Sequence, residues 1–132
     1  GRQQREWLYV EDFVDALRMV VKNLPATPGV QAVHVGSGER VPNIEVAQQI
    51  CALLERPPEL IRPVVDRPGH DRRYAVDSSK LRAMGWTPRR RFEDGLAETV
   101  RWYAEHGGEW AGQAGGDFSG YFARQYGQRL SG

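Results

Sequence analysis

The strongest constraint on the fold is a helical spacing of apolar residues that recurs in separate, short segments. From Asp12 onward, apolar side chains follow one another at helical intervals with charged residues between them: Phe13, Ala16, Leu17, Val20, Val21 and Leu24. This spacing places an apolar stripe on one face of a helix. Pro25 and the pair Pro28-Gly29 break the pattern, so the sequence predicts a first helix that begins near Asp12 and ends before them.

A second helix is predicted after Asn43, and the proline pair Pro57-Pro58 closes it. Its apolar positions are Ile44, Ala47, Ile50, Cys51 and Leu54. Asparagine is a favourable N-cap because its side-chain oxygen accepts a backbone N–H that has no partner within the helix. We therefore expect Asn43 to cap this helix.

Two more helices are predicted in the second half of the chain. Asp77 is the expected cap of a short helix through Met84, and Gly85 is its expected stop. A longer helix carries Phe92, Leu96, Val100 and Tyr103, has Glu93 and Asp94 in its first turn, and is expected to end at Gly107-Gly108. The aromatic residues of the tail predict a further helical packing stripe: Phe118, Tyr121, Phe122 and Tyr126.

Short strands are predicted between these helices. Residues 31–35 alternate in polarity and end at a Gly-Ser-Gly turn, and residues 60–65 form a second candidate strand. The apolar run at 7–10 fits either a short strand or the entry to a helix. We therefore predict an α/β fold that is mostly helical, with a sheet that looks incomplete, as if an N-terminal part were absent.

Length and composition limit the classes of function. The 132 residues suffice for one domain spanning 1–132, and a formal net charge of +1 gives no general attraction for nucleic acid or anionic membranes. Cys51 is the only cysteine, so no intrachain disulfide can form and we expect a cytoplasmic protein. No apolar stretch is long enough to span a bilayer, and the first residues, which read like the middle of a longer sequence, lack a signal-peptide core.

Several catalytic and cofactor motifs are absent from the sequence. There is no glycine-rich loop of the kind that cradles phosphates at a helix start, and there is no Tyr-x-x-x-Lys pair. His34, His70 and His106 are too widely spaced to form a histidine metal motif, so we expect no metal. Cys51 lies on the apolar face of a predicted helix, which favours packing over nucleophilic chemistry.

The most unusual segment is DRPGHDRRY at residues 66–74, which follows a predicted strand. Ligand-binding loops of α/β folds occupy this position, and the guanidinium of Arg67 suits phosphate oxygens. The alternative is that Asp66 and Asp71 neutralise the neighbouring arginines in a solvated, salt-bridged turn. Composition alone favours that alternative, because most charge clusters are solvated surface.

Other basic residues allow the same two interpretations. Arg5 precedes an apolar aromatic run and is either an anion ligand or a surface residue at a strand edge. Asn43 opens a helix whose N-terminus can also bind an anion. The arginines at 89–91 are followed at once by acidic residues and are not interleaved with aromatics, so we interpret them as solvated surface rather than a nucleic-acid patch.

Three segments together resemble dTDP-glucose 4,6-dehydratases, which belong to the extended short-chain dehydrogenase/reductase family of nucleotide-sugar enzymes. They are REWLYVEDFVDAL, DRPGHDRRYAVDSSKLRAMGW and FEDGLAETVRWY. The resemblance runs in order from Gly1 to about Arg129 and corresponds to the C-terminal part of such enzymes, well under half of a typical member. The DRPGHDRRY segment is its most specific part. Phe13 departs from the pattern, since this group often has histidine there.

The resemblance implies a division of labour between two parts of a longer enzyme. The N-terminal Rossmann domain would bind NAD and carry the catalytic tyrosine, lysine and carboxylates. The C-terminal part would bind the nucleotide sugar, with Arg5, Asn43, Arg67 and His70 as substrate-binding residues. We thus expect no catalytic residue, no bound cofactor and no activity in this chain alone.

Two alternatives to a dTDP-glucose 4,6-dehydratase stay open. One is another nucleotide-sugar epimerase or dehydratase of the same family, and the other is a truncated, non-catalytic binding or interaction module. The expected partners are a dTDP-sugar nucleotide and the missing Rossmann domain. Apolar surface left without that domain would also favour self-association.

Overall fold

The fold is helix-rich with a minimal sheet, as the sequence predicts. A computed structural model of the chain describes residues 1–23, 29, 31–113 and 120. The elements are β1 (Gln4–Glu6), α1 (Val10–Lys22), β2 (Arg40–Pro42), α2 (Asn43–Leu53), a 3₁₀ turn (Pro58–Leu60), α3 (Ser79–Ala83) and α4 (Phe92–Gln113). The predicted aromatic stripe of the tail lies outside the described residues.

The two strands form an antiparallel ribbon in which Gln4 faces Pro42, Arg5 faces Val41 and Glu6 faces Arg40. The other edge of β1 is also used: the backbone N–H of Gln4 donates to the Arg72 carbonyl (2.8 Å), and the N–H of Tyr74 donates to the Gln4 carbonyl (3.1 Å). β1 is therefore held from both sides by parts of the chain that are distant in sequence.

Helix α1 matches its predicted position and buries one side. Ala16 is fully buried against Leu81 of α3 and against Trp86, and Met19 and Val20 pack around this small core. A second apolar stripe of α1 faces outward and is 40–66% exposed: Val10, Phe13, Val14, Leu17 and Val21. The run at 7–10 turns out to be mainly the entry to α1, since β1 ends one residue before Trp7.

Helix α3 also matches the prediction. The Ser79 N–H donates to the Asp77 carboxylate (2.9 Å), although the cap position itself is Ser78. Gly85 follows the helix with a φ of +91°, a backbone conformation that side-chain-bearing residues rarely adopt. It is therefore the stop that the sequence indicates.

Neither predicted strand, at 31–35 or at 60–65, forms. In the first segment, side chains of α3 take the carbonyl groups that a neighbouring strand would use: Lys80 donates to the Ala32 carbonyl and Arg82 to the Ser37 carbonyl just beyond it. In the second, Pro63 lacks a backbone donor, and the 3₁₀ turn occupies its start at Leu60.

The predicted end of α4 at Gly107-Gly108 is wrong, because the helix continues to Gln113. A glycine in a helix costs only about 1 kcal/mol relative to alanine, which neighbouring contacts can offset. Here His106 stacks on Trp102 one turn earlier (ring centroids 4.9 Å apart), and its Nδ1 lies 2.9 Å from the Trp102 carbonyl oxygen.

A buried carboxylate joins the start of α1 to the loop before α4. Asp12 is 3% exposed, and its two oxygens accept the backbone N–H groups of Arg89 (3.1 Å) and Arg90 (3.0 Å). Gly95 of α4 then packs closely on Tyr9, where an added Cβ would lie 3.0 Å from the Cβ of Tyr9. These contacts fix where α4 begins.

We predict that Asp12→Asn lowers the free energy of unfolding by about 1.5–3 kcal/mol, because an NH₂ group replaces one charged acceptor and faces a buried N–H donor. Urea denaturation measures the change. The matched control is Asp15→Asn, which removes only ion pairs to the exposed Arg18 and Arg89 and should cost under about 1 kcal/mol. Equal losses of unfolding free energy in both variants would contradict this role of the buried Asp12 carboxylate.

Candidate functional site

The segment at 66–74 forms a loop that returns to β1 and brings its charged residues against that strand. Gly69 has a φ of +68° at the turn, and the His70 N–H donates to the Arg67 carbonyl (3.3 Å). The end of the loop then pairs with Gln4 in parallel fashion. This pairing places the loop beside Arg5, more than sixty positions earlier in the chain.

The two acids of the loop do not form ion pairs with its arginines. Asp66 accepts hydrogen bonds from its neighbour's backbone at Arg67 (2.9 Å) and from the Gln3 side chain, and it contacts His70 Nδ1 (2.6 Å). Asp71 accepts the hydroxyl of Tyr74 (2.6 Å). The predicted pairing of these acids with the arginines of the segment is therefore wrong, while the loop is exposed as that alternative expects.

Arg5 is held firmly but without a neutralising carboxylate among the described residues. Its guanidinium donates to the carbonyls of Gln4 (2.8 Å) and Asp71 (3.2 Å), and Nη2 lies 3.1 Å from His70 Nε2. The ring of Tyr74 lies under it, with the Arg5 Cζ 4.1 Å from the ring centroid. Two of the five guanidinium N–H groups keep no partner in the part of the chain that the structure describes.

The other arginines of the loop are exposed. None of their side chains, at Arg67, Arg72 and Arg73, makes an ion pair with a described residue. The charges of Arg5 and Arg67 act to lower the pKa of Tyr74. The pKa of Tyr74 is nevertheless raised above its ordinary value, chiefly because its hydroxyl donates to the Asp71 carboxylate. The site thus holds four arginines and two aspartates, with no ion pair between them among the described residues.

Asn43 joins this group through its backbone rather than as a cap. The cap position of α2 is Pro42, and Asn43 makes no side-chain capping bond, so the predicted N-cap is wrong. The first two N–H groups of α2, from Asn43 and Ile44, donate to the carbonyls of Gln3 and Gly1 (2.9 Å each), and these carbonyls do the work of a cap. The Asn43 Oδ1 is buried and has no hydrogen-bond partner among the residues that the structure describes.

The structure thus brings Arg5 and His70 into direct contact, and it places Arg67 on the same loop. Asn43 is linked to them through Gln3, whose side-chain amide reaches Asp66 and lies 3.3 Å from His70 Nδ1. Reasoning from the sequence missed Gln3 and Tyr74. Gln3 precedes Arg5 by two positions, and residues two apart in a strand share a face, so strand alternation is the signal that could have identified it.

A separate cavity of about 560 Å³ lies between α2, α4 and the segment that links β1 to α1. Its walls are mainly apolar side chains, among them Trp7, Ile50, Phe92, Leu96 and Tyr103, and it includes none of the four predicted site residues. This cavity and the arginine loop are therefore separate places in the fold.

The same residues fit neither a metal site nor a cofactor cradle. The described residues contain no group of three or more His, Cys, Asp and Glu side chains that could hold a metal ion. No glycine-rich turn opens a described helix, and the first N–H groups of α2 are already bonded, so these residues do not fit an NAD cradle. Among the same residues, no helix is both long and apolar enough to cross a membrane.

The hydrogen bond with His70 holds the pKa of Asp66 below its ordinary value of 3.8, with help from the Arg67 N–H. The unfolded chain then binds the proton more tightly than the folded chain. Asp66 therefore contributes stability at a pH above its ordinary pKa, and this contribution is lost as the pH falls through the lower, folded-state pKa.

We predict that His70→Ala raises the pKa of Asp66 toward 3.8, as followed by carboxyl-carbon NMR during acid titration. The matched control is Asp77, whose pKa is also lowered, chiefly by the backbone N–H of Ser79 and without a contribution from His70. Its midpoint should stay fixed in the variant. An unchanged Asp66 midpoint would show that His70 is not its main partner.

Comparison with known proteins shows what the chain is similar to. The chain is 47% identical over 113 residues to the dTDP-glucose 4,6-dehydratase of Xanthomonas campestris pv. campestris, covering 78% of the chain and 31% of that protein. It resembles the solved dTDP-glucose 4,6-dehydratase of Streptomyces venezuelae with NAD and TYD bound (36% identity, TM-score 0.70, 83% of the chain and 34% of that structure).

A related enzyme of different activity is also similar. The UDP-glucose 4-epimerase of Thermus thermophilus, in complex with NAD, matches at 30% identity with a TM-score of 0.64, over 75% of the chain and 30% of that structure. The chain therefore spans about a third of the length of these relatives and shares the fold of the corresponding part. The family model described as GDP-mannose 4,6 dehydratase matches residues 1–99, and the chain belongs to that family.

Proposed function

We propose that this chain is the nucleotide-sugar-binding part of a dTDP-glucose 4,6-dehydratase, which converts dTDP-glucose to dTDP-4-keto-6-deoxyglucose. The observation that carries the proposal is Arg5, an oriented guanidinium whose charge no described carboxylate neutralises. The 47% identity to the Xanthomonas enzyme favours this substrate over others of the family.

The diphosphate of the nucleotide is the proposed ligand of the arginine loop. Arg5 offers two N–H groups, and Arg67 offers an exposed guanidinium fork that matches phosphate oxygens. The Asn43 side chain is the third proposed contact, because its buried Oδ1 has no partner among the described residues and its amide can turn toward a ribose or phosphate oxygen. His70 contacts Arg5 within this group, with its Nε2 3.1 Å from Arg5 Nη2.

Catalysis is proposed to need the part of the longer relatives that this chain does not span. NAD supplies hydride transfer when bound, and the described residues offer no cradle for it. The outward apolar stripe of α1, defined above, is the surface that we propose the missing Rossmann domain covers. Without that domain, the same stripe would favour self-association of the chain.

The second candidate function is that of a nucleotide-sugar 4-epimerase. The similarity to the Thermus epimerase supports it, since a diphosphate site suits both reactions. A non-catalytic binding module is the remaining alternative. The reaction of a complete enzyme that contains this chain separates the three.

The test is a chimera in which this chain replaces the matching segment of the Xanthomonas dehydratase. We expect the chimera to form the 4-keto product from dTDP-glucose, detected by its absorbance in alkali. A folded chimera that retains NAD but acts only as an epimerase, or not at all, would contradict the dehydratase proposal. The isolated chain is the control, and we expect it to form no product and to self-associate in light scattering.

Variants of the chimera test the anion site. Arg67→Ala should weaken dTDP binding in titration calorimetry about tenfold or more, because a charge-assisted contact contributes about 1.5–3 kcal/mol. Arg67→Lys should recover only part, because an ammonium group cannot replace the planar fork. Arg91, whose side chain is 80% exposed, is the matched control, and Arg91→Ala should change little. Equal losses of dTDP affinity at both positions would contradict the role of Arg67 as a phosphate contact.

A further inference from the structure

The His70 ring lies between the Asp66 carboxylate, which can only accept hydrogen bonds, and the Arg5 guanidinium, which can only donate them. Its Nδ1 is 2.6 Å from Asp66 Oδ1, and its Nε2 is 3.1 Å from Arg5 Nη2. A guanidinium nitrogen can only donate hydrogen bonds, so Nε2 must be the acceptor and carry no proton. The single proton of a neutral imidazole is then on Nδ1, where it donates to the Asp66 carboxylate. The Gln3 amide nitrogen, 3.3 Å from Nδ1, donates to Asp66 and makes no hydrogen bond with this protonated nitrogen.

His70 is also the only described side chain that accepts a hydrogen bond from Arg5. The other two acceptors are backbone carbonyls, at Gln4 and Asp71, and Tyr74 offers only its ring face. Asp66, His70 and Arg5 therefore form a chain in which a carboxylate fixes the ring and the ring fixes the guanidinium.

We propose that His70 is a positioning residue of the diphosphate site, which holds Arg5 through a neutral, Nδ1-protonated ring rather than contacting the phosphates as a cation. This inference rests on the proposed nucleotide binding and deepens it. It assigns Asp66 an indirect role, because Asp66 selects the tautomer whose free nitrogen faces Arg5.

Protonation of the ring would undo this arrangement. A doubly protonated imidazole has two donors, so Nε2–H would oppose an N–H of Arg5 and place two cations in contact. The charged groups that face the His70 ring are Asp66 of its own loop, at Nδ1, and Arg5 of β1, at Nε2. Gln3, which is uncharged, lies beside Nδ1. Asp71 and Tyr74 contact Arg5 through the Asp71 carbonyl and the face of the Tyr74 ring. The Tyr74 hydroxyl donates a hydrogen bond to the Asp71 carboxylate.

The two possible roles of His70 predict opposite effects of acid. As a neutral positioning residue, His70 should make the site bind anions less tightly when the pH falls. As a cationic phosphate ligand, it should make binding tighter. Three substitutions separate the roles further. Gln can donate to Asp66 and accept from Arg5, Lys can supply only charge, and Ala can supply neither.

The first measurement is the ring state of His70 in the ligand-free 132-residue chain, by ¹⁵N NMR of the imidazole at neutral pH. We expect Nδ1 to be protonated and Nε2 to be bare. His106 is an internal comparison, because its Nδ1 faces the Trp102 carbonyl and should give the same pattern. A protonated Nε2 on His70 would overturn the proposal without reference to any ligand.

The second measurement is titration of the chain with inorganic pyrophosphate between about pH 8 and pH 6, which spans the range where histidines ordinarily titrate. We expect His70→Gln to bind about as well as the natural chain, and His70→Ala and His70→Lys to bind about tenfold less tightly at the upper pH. Affinity should fall with acid more steeply in the natural chain than in His70→Gln, which corrects for titration of pyrophosphate itself.

Each result is decisive for one of the two claims. Full binding by His70→Lys, or tighter binding at lower pH than in His70→Gln, would overturn the positioning role. If the natural chain does not bind pyrophosphate, the proposed diphosphate site fails, while the ring state still decides whether His70 holds Arg5. Circular dichroism of each variant identifies a loss caused by unfolding, and His70→Gln then serves as the folded comparison.

Discussion

The site depends on a strand of three residues whose two edges are both occupied. β1 pairs with β2 on one edge, and the backbone of Gln4 bonds to residues 72 and 74 on the other. No element near it in sequence provides these partners. Because both edges are bonded, β1 cannot slide in register without breaking hydrogen bonds on two sides. Arg5, the middle residue of β1, is therefore fixed against the loop.

The hydrogen-bond partners of Asp66 and Asp71 determine whether the arginines of the loop form ion pairs. Asp66 is occupied by a histidine, a glutamine and a backbone N–H, and Asp71 is occupied by a tyrosine hydroxyl. Both carboxylates accept hydrogen bonds from these groups and not from arginine side chains. The arginines therefore have no ion pairs within the described residues. The loop has three arginines and two aspartates, so its formal charge is +1, and Arg5 beside it adds one more positive charge. The guanidinium groups in it are not engaged by the carboxylates, in a chain whose own net charge is +1.

The parts of this structure that sequence reasoning captures are local ones. Helix α1 and the Gly85 stop follow from spacing and backbone conformation within a few residues. The errors concern longer-range competition. Side chains of α3 bond to carbonyls in and just beyond the predicted strand at 31–35, and carbonyls of Gln3 and Gly1 replace the predicted Asn43 cap. The resemblance pointed to Arg5, Asn43, Arg67 and His70. The contact of Arg5 with His70 spans 65 positions, so no local pattern could reveal it.

The central claim is that Arg5 is a preoriented and uncompensated cation, and its side-chain Nε–H resonance tests this most directly. The measurement is a ¹H–¹⁵N NMR titration of the chain with inorganic pyrophosphate, with resonances assigned by Arg→Lys substitution. The account predicts a narrow Arg5 resonance before addition, and saturable shifts at Arg5 and Arg67 while Arg91 stays in place. Shifts of equal size at all three arginines, or none at Arg5, would contradict it.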